Sequence, residues 1–108
     1  MNQMTKLTIT VRVEPGSLGP KGKDYVEDYC KLAQNAFSKK KGDFADWAII
    51  PRYDKTLPEI EFSLLGQTLD EARVSQALQV LDTNIEEVEE HTMEMISQLI
   101  DRYLGHKY

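Results

Sequence analysis

The sequence predicts an α+β two-layer sandwich, a small sheet with helices on one face, built as a single domain over residues 1–108. Three observations carry that expectation. Lys6 to Glu14 alternates with period two; Val26 to Phe37 repeats its apolar residues at spacings of three and four; and two further extended runs and two further helical runs follow, in the order β-α-β-β-α-α.

In the first run Leu7, Ile9, Val11 and Val13 point one way, and Thr8, Thr10, Arg12 and Glu14 the other. That is the pattern of a half-buried strand, and its β-branched content agrees. After a glycine-rich connection, Val26, Tyr29, Cys30, Ala33, Ala36 and Phe37 form an apolar stripe with charged residues between them. The stripe predicts an amphipathic helix from Gly22 or Lys23 to Lys40, stopped by Gly42. Asp46 to Tyr53 and Glu59 to Leu65 read as two strands of a hairpin joined through DKTLP. Pro51 cannot donate to a ladder, so the first of them is expected at an edge or bulged there.

Two capping boxes, Thr68 with Glu71 and Thr83 with Glu86, mark the starts of the last two helices, about Leu69–Leu81 and Asn84–Leu104. A right-handed crossover from the first strand to the second, followed by a tight hairpin, gives a three-stranded, mostly antiparallel sheet with order first, third, second. This is the ferredoxin-like plan with its last strand replaced by helix. It leaves Lys6–Glu14 as an open edge that invites another chain, and it leaves the last helix longer than the sheet it covers. Both features point to a homodimer.

The bulk composition excludes several classes of function. With 41% hydrophobic and 29% charged residues the chain is an ordinary globular one. No apolar run approaches the roughly 20 residues of a spanning helix, and the N-terminus lacks the order of a signal peptide. No membrane role is expected, and the expected location is cytoplasmic. A single cysteine, Cys30, can form neither an intrachain disulfide nor a multi-thiolate zinc site, and beside Glu27 and Asp28 it reads as a core residue. The net charge of -5 is unevenly spread: residues 1–54 carry nine Lys or Arg against seven acids, and residues 55–108 carry four against eleven. The second half is a poor surface for nucleic acid. Lys39-Lys40-Lys41 reads as the cationic end of a helix, so no nucleic-acid partner is expected.

The connection EPGSLGPKGKDY places Gly16, Gly19 and Gly22 between a strand and a helix and ends near Gly22-Lys23. It departs from a Walker loop at two of four diagnostic positions, because Ser17 stands where the first glycine belongs and Asp24 where the hydroxyl belongs. The equal spacing also fails the dinucleotide fingerprint. A simpler anion site remains, made of Lys21, Gly22, Lys23 and Arg12 at the helix start, beside the plainer reading of a turn. His91 is a further candidate for such a site.

Glu87, His91 and Glu94 share a helical face but have neither the Glu-x-x-His nor the paired-histidine spacing of known metal helices, so no metal and no cofactor are expected. Trp47, Ile50, Arg52 and Tyr53 are the residue types that interfaces favour, near a sheet face that no predicted helix covers.

No group of residues combines a nucleophile, a base and an orienting partner, which argues against an enzyme. The sequence therefore reads as a small acidic protein acting by binding, as a protein-interaction or regulatory module and a homodimer. The alternative is a small-molecule or anion-binding enzyme domain with its site at the glycine-rich loop. A third reading has the acidic stretch Glu86–Glu94 cap a basic partner.

Overall fold

The computed structural model describes residues 7–39 and 45–105. They form one mixed four-stranded sheet and three helices, an α+β arrangement. The strands are β1 (Leu7–Val13), β2 (Ala45–Pro51), β3 (Ile60–Leu64) and β4 (Gln67–Thr68). The helices are α1 (Gly22–Ser38), α2 (Glu71–Val80) and α3 (Ile85–Gly105), and a short 3-10 turn, Pro15–Leu18, follows β1.

The alternation in β1 is realised as read: Leu7, Ile9, Val11 and Val13 are buried, while the residues between them are half-exposed. Across the ladders Trp47 and Phe62 flank Ile9, so the same face continues through β2 and β3. That face meets the apolar stripes of the helices in one cluster, with Tyr29, Phe37, Leu18 and Leu78 among its fully buried members. Burying side chains of this size stabilises the fold by about 1.5–3 kcal/mol each. The Tyr29 hydroxyl on α1 donates to the carbonyl of Ile96 on α3 at 2.9 Å, a buried polar tie between the two longest helices.

The strand order is β2-β1-β3-β4, which corrects the expected one. β1 lies inside the sheet, parallel to β2 and antiparallel to β3, and is not an open edge. The expected β2–β3 hairpin does not form. Instead the chain crosses the end of β1, where the Arg52 amide donates to Val13 O at 2.8 Å and the Arg12 amide to Glu59 O at 2.7 Å. The sheet is therefore mixed, and the ferredoxin-like order with β3 in the middle does not hold. β2 is an edge strand, as Pro51 implied.

The hairpin that does form joins β3 to β4, a strand missing from the sequence reading. Its two turn residues, Leu65 and Gly66, have φ of 53° and 82°. Two positive values mark the tight turn that suits a twisted hairpin.

Both capping assignments shift as well. The Thr68 hydroxyl bonds Glu61 Oε2 at 2.6 Å, and Asp70 caps α2 by accepting from the Arg73 amide at 2.9 Å. Asn84 caps α3 by accepting from the Glu87 amide at 2.9 Å, and the Thr83 hydroxyl turns to the Glu87 carboxylate. In each case a short Asx side chain, a strong N-cap, takes the role assigned to the threonine before it. α1 starts at Gly22 as expected; Lys40 and Gly42, assigned to its end, lie outside the described residues.

The two grounds for expecting a homodimer are both met within the chain. β1 has a strand on each side, and the stripe of α3 through Val88, Ile96, Leu99 and Tyr103 is buried against the rest of the molecule.

Candidate functional site

The glycine-rich connection folds as successive tight turns. The amides of Ser17, Gly19, Gly22 and Asp24 donate to Glu14, Gly16, Gly19 and Lys21 carbonyls at 2.9–3.2 Å, so those donors do not cradle a ligand. Leu18, wholly buried, anchors the loop to the core. Gly22 is required by packing, since a Cβ there would lie 1.7 Å from the Pro15 carbonyl oxygen. Gly19 is required by its backbone, at φ 91°.

A cleft of about 590 Å³ nevertheless opens beside this loop. Its walls are Glu14 to Gly16, Gly19, Pro20, Gly22 and Lys23 on one side, and Arg52, Tyr53 and Lys55 on the other. Glu14 accepts from Arg52 Nη1 at 3.4 Å and from Lys55 Nζ at 3.2 Å. Arg52 also donates to the carbonyls of Lys55 and Leu57, which holds the segment after β2 in place. Three cations face one carboxylate here, next to the positive end of the α1 dipole. The lining therefore carries three cationic side chains against one carboxylate, two of them paired with it, in a molecule of net charge -5.

A second, more open groove of about 630 Å³ adjoins it and shares Tyr53. It runs between α1 (Glu27, Cys30, Lys31, Gln34, Asn35, Ser38) and the outer edge of β2 (Ile49, Pro51). The Tyr53 hydroxyl donates to Glu27 Oε2 at 2.8 Å, which raises the Tyr53 pKa and marks the boundary between the two lobes. Cys30 lies on the floor, 4% exposed; burial first, and Glu27 second, push its thiol up to about 12. It is therefore an unionised thiol at neutral pH, without the thiolate character of a nucleophile.

The edge of β2 is guarded from within the chain. Gln34 Nε2 donates to Trp47 O at 2.8 Å, and Ile49 N donates to Gln34 Oε1 at 2.8 Å. With Pro51 lacking an N–H, β2 offers a neighbouring sheet little to pair with while Gln34 stays in place.

Of the residues assigned to an anion site, Gly22 and Lys23 line the cleft, and Lys21 sits exposed at the N-cap of α1. Arg12 lies elsewhere, on the sheet face opposite the buried stripe of β1, where Nη1 donates to Glu61 Oε1 at 2.8 Å and to Pro58 O at 3.0 Å. Of the four assigned to an interaction surface, Trp47 is only 9% exposed, on the helix-covered face against Phe37, with ring centroids 4.9 Å apart. Ile50, 40% exposed, is on the opposite face by the alternation of β2, and Arg52 and Tyr53 line the glycine-loop cleft. The four do not share one surface.

Glu14, Glu27, Gln34 and Lys55 were missed. Gln34 flanks the apolar stripe between Ala33 and Phe37, and a polar residue at that margin was the available signal.

A third cleft, about 360 Å³, lies between Trp47 and the first half of α3, lined by Glu87, Glu90, His91 and Glu94. Thr92 beneath it is fully buried, and its hydroxyl is the one buried side-chain polar atom among the described residues with no hydrogen-bond partner. Among the described residues no group of three or more His, Cys, Asp or Glu is arranged to hold a metal ion, and no helix is long and apolar enough to cross a membrane.

No protein-family model matches the chain, and neither a curated protein nor a solved structure is similar to it.

Proposed function

We propose that the protein is a small cytoplasmic binding protein whose ligand lies along α1, spanning the glycine-loop cleft and the neighbouring α1–β2 groove on either side of Tyr53. The observation that carries this reading is the adjacency of the two clefts through Tyr53, with Lys23, Arg52 and Lys55 at one end. Together they exceed the ~300–1,000 Å³ of a usual small-molecule pocket. An elongated ligand with an anionic end fits this form. The lone buried cysteine, with no disulfide to form, supports a reducing compartment.

Citrate serves as a polycarboxylate probe of the cationic end. At about ten times its dissociation constant it stabilises the fold by about 1.4 kcal/mol, a rise in Tm of roughly 5 °C or more for a chain of this size. Lys23→Ala abolishes most of that rise. A melting temperature unmoved by citrate at millimolar concentration contradicts an anionic end to the ligand.

A further inference from the structure

We propose that the ligand is the C-terminal segment of a partner polypeptide, laid against β2 as an added parallel strand with its terminal carboxylate at the N-terminus of α1. The proposal rests on the binding role argued above for the depression along α1, and it names the chemistry of the occupant.

The first argument is the chemistry of Gln34. A primary carboxamide carries the same donor and acceptor as a peptide unit. The Gln34 amide gives its N–H to Trp47 O and takes an N–H from Ile49, the two main-chain groups that flank Ala48. In a parallel ladder the N–H and C=O of one residue bond to the carbonyl and amide flanking a single residue of its neighbour. Gln34 therefore stands where one residue of an incoming strand would stand. Its Nε2 also donates to Ser38 Oγ at 3.0 Å.

The second argument is direction. Gln34 lies beside Trp47 and Ile49, and Glu27 lies beside Tyr53, so α1 runs antiparallel to β2. A peptide parallel to β2 ends at the start of α1, where Lys23 and the helix dipole favour a carboxylate. A peptide running the other way would bring an ammonium group to the same cationic end. From Trp47 to Tyr53 the path is about 20 Å of extended chain, room for about six residues; Pro51 offers an incoming strand its carbonyl but no N–H, so the paired part of the path is Trp47 to Ile49 and the rest lies in the groove.

The test uses a valine- and threonine-rich hexapeptide, fluorescein-labelled at its N-terminus, with either a free or an amidated C-terminus, on the full chain. Fluorescence polarisation is expected to show at least a tenfold weaker affinity for the amidated form. Lys23→Ala, an exposed change with little risk to folding, should weaken the free-acid peptide by a similar factor and leave the amidated one unchanged. Equal affinity for the two forms overturns the carboxylate assignment.

Gln34→Ala opens the edge and is expected to bind the peptide more tightly than the unaltered chain. In that variant the Ile49 amide should exchange quickly when free and become protected when the peptide is bound. Binding without that protection overturns strand addition. If citrate stabilises the protein but neither peptide binds, the peptide proposal fails and the broader binding role stands; if no probe acts at the depression, both fail.

Discussion

Gly22 at the start of α1 and Pro15 in the preceding turn approach so closely that a Cβ on the glycine would lie 1.7 Å from the proline carbonyl oxygen. The obstacle is backbone, which cannot swing aside. Gly22→Ala is therefore expected to destabilise the fold by about 2–4 kcal/mol, read as a lower urea midpoint. Gly16→Ala is the control: its Cβ would meet only Glu14 Cγ at an ordinary 3.9 Å, and its φ is not in the left-handed region. Equal effects for the two variants would show that the close approach does not govern the loop.

Leu65 occupies a turn position at φ 53° with its side chain 82% exposed, beside Gly66 at φ 82°. Asparagine tolerates this conformation far better than leucine. Leu65→Asn is expected to stabilise the protein by about 0.5–1 kcal/mol in the same urea measurement. A loss of stability would mean that Leu65 has a packing role the turn geometry does not reveal.

Glu61 is held below the usual glutamate value by the Thr68 hydroxyl first and by Arg12 second. A carboxylate with a depressed native pKa favours the fold at pH values above its unfolded pKa. That contribution is lost as the pH falls through the native pKa. Thr68→Val keeps the shape and removes the donor. Carboxyl NMR titration should then show the Glu61 pKa rising, and acid unfolding should begin at a higher pH. An unchanged Glu61 titration would remove the hydroxyl as the main cause.

Cys30, buried and with its thiol pushed up to about 12, should react with iodoacetamide at pH 7.5 only as fast as the fold opens. Denaturant should accelerate the labelling by orders of magnitude. Rapid labelling of the native protein would contradict both its burial and its unreactive state.

How much of this was legible in the sequence depended on how local the cause was. The alternation of Leu7 to Val13 and the three- and four-residue spacing of Val26 to Phe37 place β1 and α1 correctly, because each face is set by the residue's own neighbours. Strand order was not legible. The choice between a β2–β3 hairpin and a chain crossing the end of β1 rests on the Arg52–Val13 and Arg12–Glu59 backbone bonds, between residues 39 and 47 positions apart. β4 was hidden because leucine, not asparagine, precedes the turn glycine. At the candidate site the glycine loop and Lys23 could be read directly, whereas the Gln34 bridge to Trp47 and Ile49 could not. It depends on which flank of α1 faces the edge of β2, and only the packed structure decides that.

The most direct test of the binding site is an amide chemical-shift map of ¹⁵N-labelled protein titrated with the free-acid hexapeptide. The largest changes are expected at Gly22, Lys23, Glu27, Gln34, Ile49 and Tyr53, in a continuous band along α1 and the edge of β2. Changes centred instead on Glu87 to Glu94 of α3, or on Thr8, Thr10 and Ile50 of the opposite sheet face, would contradict it.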